Sequence, residues 1–191
     1  MENKRVIEIL QDCGSLLDGH FLLTSGKHSD RYCQCAKLLQ YPGEAEQVVA
    51  LIARQVEALG ATVVAGPAMG GIVAAYELAR QLGARGIFTE RVEDNMALRR
   101  GFEIAPGEKT LICEDVVTTG KSTMEAVALL REKGADIVGL CCLVDRRPDG
   151  VELPLPLFSA TSLTVRTFEA GDCPLCAQGL PLEKPGSRKN V

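Results

Sequence analysis

The chain has 191 residues, 46% of them hydrophobic and 24% charged, with a net charge of −4. A globule of that length buries roughly 70% of its unfolded surface; its acidity excludes a general nucleic-acid surface, and three Tyr, five Phe and no Trp leave few rings for base stacking. The charged start MENKRVIEILQDCG is not an export signal and no run reaches the ~18 apolar residues of a membrane span, so eight cysteines point to reduced thiols in a cytoplasm.

Residues 4–12 read as an amphipathic helix with Val6, Ile7 and Leu10 inward, stopped by Gly14. Residues 19–23 and 31–36 are short extended pieces around the turn Thr24-Ser25-Gly26-Lys27-His28-Ser29. They predict a hairpin-like hood contributed by residues 1–40 rather than a strand of a parallel sheet, with His28 as a solvated loop histidine. Residues 42–59 carry Ala45, Val48, Val49, Ile52, Val56 and Leu59 on one helical face, and Gly60 ends it.

A strand over 62–65 leads into Gly66-Pro67-Ala68-Met69-Gly70-Gly71, a strand-to-helix turn. It is not GxGxxG, so no dinucleotide fingerprint is supported; a tight packing turn is the plain alternative. Residues 72–82 are helical and 86–88 form a buried strand. Residues 89–101, TERVEDNMALRRG, break the periodicity and read as a charged, mobile loop with a short hairpin.

Residues 110–113 are apolar and read as the end of a parallel strand; Glu114 and Asp115 follow, then Val116 and Val117. The turn Thr118-Thr119-Gly120-Lys121-Ser122 opens a helix with Met124, Val127, Ala128 and Leu130 on one stripe. Backbone N–H groups at a helix start, hydroxyls, and a glycine free to take positive φ suit a phosphate monoester. The two carboxylates would repel phosphate, so they suit the hydroxyls of a ribose or a divalent cation near them. Gly120-Lys121-Ser122 ends like a Walker A loop, but Asp115 stands where that motif needs glycine. The plain alternative is a capped helix under a polar loop.

Residues 137–144 form a long apolar strand of a sheet covered on both faces. Asp145-Arg146-Arg147 follows at its carboxyl end, where an arginine can fork onto a carboxylate. Residues 155–165 supply one or two edge strands, and 170–191 read as a loosely packed tail rich in Pro, Gly and charge. Cys13, Cys113, Cys141 and Cys142 read as small core residues. Cys173 and Cys176 form one CxxC, half a zinc site, for which Cys33-Gln34-Cys35 is a poor second half; neither structural zinc nor a redox pair is expected.

The run from Glu114 to Ser122 resembles the phosphoribosyl-pyrophosphate signature of the type I phosphoribosyltransferases, and within them the orotate phosphoribosyltransferases. Phe21, Leu23, Ser25, Gly26 and Ser29 match the hood pattern of the latter, and the likeness covers residues 19–146 with a tail over 173–188. The resemblance implies one α/β domain over residues 1–191, a parallel sheet flanked by helices, joining orotate to phosphoribosyl pyrophosphate with Mg2+. It implies that Glu114 and Asp115 hold the ribose and that Val116, Val117, Thr118, Thr119, Gly120, Lys121 and Ser122 cradle the 5-phosphate. Met69 and Gly70 would receive diphosphate, Thr118, Arg146 and Tyr32 orotate, and Arg91, with Glu114 and Asp115, would be catalytic. Mg2+ would come mainly with substrate, with Asp115 a candidate ligand.

It also implies a homodimer that shares the 89–101 loop across subunits, with no nucleic-acid or membrane partner. This chain departs from the family where Met69-Gly70 replaces an aromatic and a lysine, Cys33 a second aromatic and Thr24 a lysine. Its loop keeps Arg91, then Arg99 and Arg100, but not the usual Lys and His. The alternatives are a purine-base transferase of the same fold and a non-catalytic sensor of phosphoribosyl pyrophosphate.

Overall fold

The computed structural model describes residues 2–23 and 25–185; Thr24 and tail positions 186–191, named above, lie outside the described residues. The chain opens with α1 (Glu2–Asp12), whose Val6, Ile9 and Leu10 are buried. β1 (Leu16–Leu22) and β2 (His28–Cys33) pair antiparallel with a bulge between Asp18 and Phe21. A short α2 (Ala36–Leu39) precedes α3 (Pro42–Val56), which starts on a proline suited to the first helical turn. One 3-10 turn follows α3, and Gly60 closes it at φ 65°.

The larger sheet takes β3 (Val63–Pro67), β4 (Arg85–Val92), β5 (Asn95–Ala97), β6 (Lys109–Val117), β7 (Asp136–Asp145) and β8 (Leu157–Ser162), in the order β5-β4-β3-β6-β7-β8. All neighbours are parallel except the β4–β5 hairpin. α4 (Gly70–Leu82) links β3 to β4, and α5 (Lys121–Glu132) links β6 to β7. The chain steps one way from β3 to β4, then returns to lay β6 on the other side of β3. That reversal leaves a crevice at the carboxyl ends of β3 and β6, where open α/β sheets bind ligands.

Val64, Leu111, Cys113, Cys141 and Leu143 face α1, α3 and α4, whereas Val63, Ala65, Ile112 and Leu140 face α5 and the segment carrying Phe102. Both faces of the strands are therefore apolar, which explains their unbroken hydrophobic runs. β3 carries a glycine at position 66, just before its end at Pro67, because a Cβ there would sit 2.0 Å from the Gly71 carbonyl oxygen, so the start of α4 presses directly on the strand. A second sheet, β1-β2-β9, is completed by β9 (Thr167–Phe168), and α6 (Pro174–Ala177) follows it.

Four expectations are corrected. The short hairpin expected in the charged 89–101 segment is there, but as an edge of the sheet rather than a loop: β4 runs on to Val92 and turns back as β5, while Phe102 meets Phe88 edge-on at 5.1 Å. The tail is not loose, for the Leu22 N–H donates to the Glu183 carbonyl and the Glu183 N–H to the His20 carbonyl (2.8 Å each), and Cys173 is buried. His28 is 5% exposed, a strand residue rather than a solvated one. Cys13 is half-buried at the end of α1 rather than in the core.

Candidate functional site

β6 delivers Glu114 and Asp115 to the crevice still largely shielded from water. Glu114 is 8% exposed, and burial together with the charge of Asp115 pushes its carboxyl up to about 8. Burial also raises Asp115, although the Val116 N–H donates to its Oδ1 at 2.9 Å. No cation among the described residues offsets either acid. Two uncompensated acids in a crevice are costly unless something supplies hydroxyl donors or positive charge.

The β3–α4 turn closes over this pair. A Cβ on Gly70 would lie 2.2 Å from Asp115 Oδ2, and one on Gly71 3.2 Å from Glu114 Oε2. Only bare backbone fits there, so the first turn of α4 and the acid pair form one wall. Met69, at the tip of the turn, is 81% exposed.

On the other side, Gly120 sits at φ 73° and starts α5 without a side-chain cap. Beyond a long bond from the Lys121 N–H to Thr119 Oγ1 at 3.4 Å, the next N–H groups of α5, at Ser122 and Thr123, are left for an outside acceptor. A hollow of about 60 Å³ lined by Glu114 and residues 116–123 lies in front of them. Lys121 Nζ reaches Glu125 at 3.9 Å and is mostly exposed, so the bend's anion-binding character comes from backbone and hydroxyls more than from this lysine.

Arg146 follows β7, its backbone N–H donating to the Val117 carbonyl at 2.8 Å. Its neighbour Arg147 forks onto Asp145 at 3.0 and 2.8 Å. The Arg146 guanidinium makes no such bond to any described residue. It stands near the end of β2, where the hydrogen bond from Cys35, and then the Arg146 charge, lower the Cys33 thiol. Cys35 donates in turn to the Asp115 carbonyl at 3.7 Å.

The structure brings together Glu114, Asp115, Val116, Val117, Thr118, Thr119, Gly120, Lys121 and Ser122 with Gly70 and Arg146. Tyr32 lies in β2 with its ring 5.9 Å from Phe21. Arg91 stands apart: it donates to the Asp94 carbonyl at 2.8 Å and pairs with Glu125 on α5. Arg99 and Arg100 both reach Glu90. The sequence reading missed Cys35, Gly71 and Leu153, whose Cδ2 would meet a Cβ on Gly120 at 2.6 Å. It also missed Thr89, buried within β4 with its carbonyl on the Ala68 N–H and its hydroxyl without a partner among the described residues. The Gly70-Gly71 doublet was a signal for the close approach; nothing local marked the others.

Residues 36–156 match the phosphoribosyl transferase domain family. A curated orotate phosphoribosyltransferase from Caldanaerobacter subterraneus subsp. tengcongensis is 48% identical over 189 residues, covering 99% of this chain and 100% of that one. The crystal structure of orotate phosphoribosyltransferase from Aeropyrum pernix superposes with a TM-score of 0.72 at 24% identity, over 83% of this chain and 93% of that one. The Mycobacterium tuberculosis orotate phosphoribosyltransferase, in complex with Fe(III) dicitrate, gives 0.69 at 20% identity, over 85% and 97%. At those identities the two structures bear on the fold alone.

Proposed function

This chain belongs to the phosphoribosyl transferase domain family, and we propose that it transfers the ribose 5-phosphate group of phosphoribosyl pyrophosphate to orotate. The products are orotidine 5′-monophosphate and pyrophosphate. Near-full-length likeness to a curated orotate phosphoribosyltransferase supports this reading. The observation that carries it in the molecule itself is the unpartnered Arg146 guanidinium on the same sheet edge as the acid pair and the α5 turn. An anionic base suits that charge, which a neutral purine would leave unanswered.

The anomeric carbon must pass through a cationic, oxocarbenium-like state as pyrophosphate leaves. Orotate brings a carboxylate anion; as its N1 bonds to the anomeric carbon and the bond to pyrophosphate breaks, the N1 proton passes to water or to the departing pyrophosphate, so the protein has little proton transfer of its own to perform. Its work is alignment and the neutralising of charge in a shielded crevice. Glu114 and Asp115 hold the ribose hydroxyls beside the anomeric carbon, between base and leaving group. The backbone of residues 116–120, with Thr118, Thr119, Lys121 and Ser122, holds the 5-phosphate. The bare turn at Met69 and Gly70 presents N–H groups to the diphosphate, and Thr118, Arg146 and Tyr32 receive orotate.

Mg2+ fits the site: the crevice offers carboxylate oxygens, raised by burial and lacking a cation, which is a hard-cation donor set. Asp115 is the candidate protein ligand, and the ion supplies charge neutralisation of the departing diphosphate. A homodimer is part of the reading. Arg91 is bound to its own α5 here, and serves as a cation for a neighbouring subunit's diphosphate. Met69, Val73 and Tyr76 form an exposed apolar stripe along the start of α4, which supports such an association. Eight free cysteines support a cytoplasmic setting, and no helix among the described residues is long and apolar enough to cross a membrane.

The test is a product assay with orotate, phosphoribosyl pyrophosphate and Mg2+, run beside adenine, guanine and hypoxanthine. Orotidine 5′-monophosphate with orotate alone is expected. Nucleotide formed only with a purine would establish the purine-base alternative. Tight phosphoribosyl-pyrophosphate binding with no product from any base would establish the sensor.

A further inference from the structure

Away from the crevice, four side chains from three parts of the chain converge. His20 comes from the bulged part of β1, His28 from the start of β2, and Cys173 and Cys176 from the turn into α6. The antiparallel pairing sets the two imidazoles 4.8 Å apart, centroid to centroid. His20 Nε2 lies 2.8 Å from His28 Nδ1, 3.5 Å from Cys173 Sγ and 3.7 Å from Cys176 Sγ, and Cys176 Sγ lies 3.4 Å from His28 Nδ1. All four ligating atoms fall within 4.8 Å of one another, and three of the four residues are buried.

We propose that His20, His28, Cys173 and Cys176 bind a structural zinc ion that fastens the C-terminal segment to the hood. Tetrahedral zinc with Zn–S about 2.3 Å and Zn–N about 2.0–2.1 Å requires ligand atoms roughly 3.3–3.8 Å apart. The spacings of His20 Nε2 to both sulfurs and of Cys176 Sγ to His28 Nδ1 already fit, and the two nitrogens must open by about half an ångström. His20 Nδ1 donates to the Leu180 carbonyl at 2.9 Å, which leaves the Nε2 lone pair aimed at the cluster. A backbone carbonyl fixing the tautomer is the usual support of a ligating histidine. Two thiolates and two imidazoles suit zinc over harder cations, and four protein ligands leave no open position for chemistry.

The segment so tied has little else to hold it. Beyond β9 it keeps to the hood through the backbone bonds of Glu183 to His20 and Leu22, the His20 Nδ1 bond to the Leu180 carbonyl and the exposed Lys27–Glu169 pair. A sheet of three short strands has no large core of its own, which is where small folds use a metal. The CxxC was visible in sequence, but its partner was sought at Cys33 and Cys35, which lie at the other end of β2 by Asp115. The missing half is two histidines some 150 residues upstream.

The full chain, freed of any affinity tag, is loaded with Zn2+, dialysed against metal-free buffer and analysed for metal and thiols. One zinc per chain is expected, with two of the eight thiols, those of Cys173 and Cys176, protected from alkylation by the metal until a chelator is added. Co2+ in its place should give the visible bands and thiolate charge-transfer of a tetrahedral Cys2His2 ion. Cys176→Ser should drop zinc content to less than about a tenth, while Cys13→Ser keeps it. If the Cys176 variant does not fold, the cobalt spectrum and thiol count of the unaltered chain decide. No retained metal, a different resident metal, or a Cys173–Cys176 disulfide found by mass would overturn the proposal. None of these readouts depends on transferase activity.

Discussion

Glu114 and Arg146 carry opposite electrostatic problems, and each yields a measurement. The Glu114 carboxyl, held at about 8 by burial and by Asp115, is raised above its unfolded value near 4.3. Its neutral form is therefore the one the fold favours. The stability this contributes is fully present below the unfolded value and lost as pH rises through about 8. Melting of the ligand-free protein across that window should show the unaltered chain falling relative to Glu114→Gln, by on the order of a few kcal/mol at the alkaline end. Parallel curves would mean that no buried carboxyl titrates there. Arg146→Ala removes a charge with no hydrogen-bonded partner among the described residues, so folding should barely change. The KM for orotate should rise about ten- to a hundredfold, the worth of one charged hydrogen-bonded contact, with the KM for phosphoribosyl pyrophosphate little altered. An unaffected orotate dependence would remove Arg146 from the base site. Both residues were legible in sequence as types at strand ends. Their burial and lack of partners were not, because those depend on what packs around them.

At the scale of elements, two turns make the crevice, and they differ in what specifies them. The β6–α5 turn is local: hydroxyls, a glycine at positive φ and a helix start lie within one short stretch, so its anion-binding character was readable directly. The β3–α4 turn works by proximity to β6. Gly70→Ala would set a methyl group 2.2 Å from Asp115 Oδ2, and a side chain as short as aspartate can escape only by turning out of the crevice. The KM for phosphoribosyl pyrophosphate should rise about tenfold or more, while overpacking lowers stability by roughly 1–3 kcal/mol. Steady-state kinetics and a melting curve on one preparation check both. Unchanged kinetics would mean that the Asp115 carboxylate has no fixed place in the site. The β4–β5 hairpin shows the limit of pattern reading. Its charges pair with one another across the loop and with α5, so a segment without an apolar face still orders on the sheet edge.

At the scale of the whole molecule, two sheets share the work. The parallel sheet supplies the acids and the phosphate turn, and the antiparallel hood supplies Tyr32 and the end of β2 beside Arg146. The last third of the chain returns to both, as β8 at the edge of one sheet and β9 with the tail on the other. The sequence by itself determined the alternation of strands and helices, the phosphate turn and the family to which the chain belongs. Those are written in hydrophobic period and in residues adjacent along the chain. Tertiary structure alone decided that Gly70 covers Asp115, that Arg146 stands unpaired, and that two histidines meet a distant CxxC. Each of these joins residues far apart in the chain, and such pairings are set by how strands cross and pack, which no local pattern records.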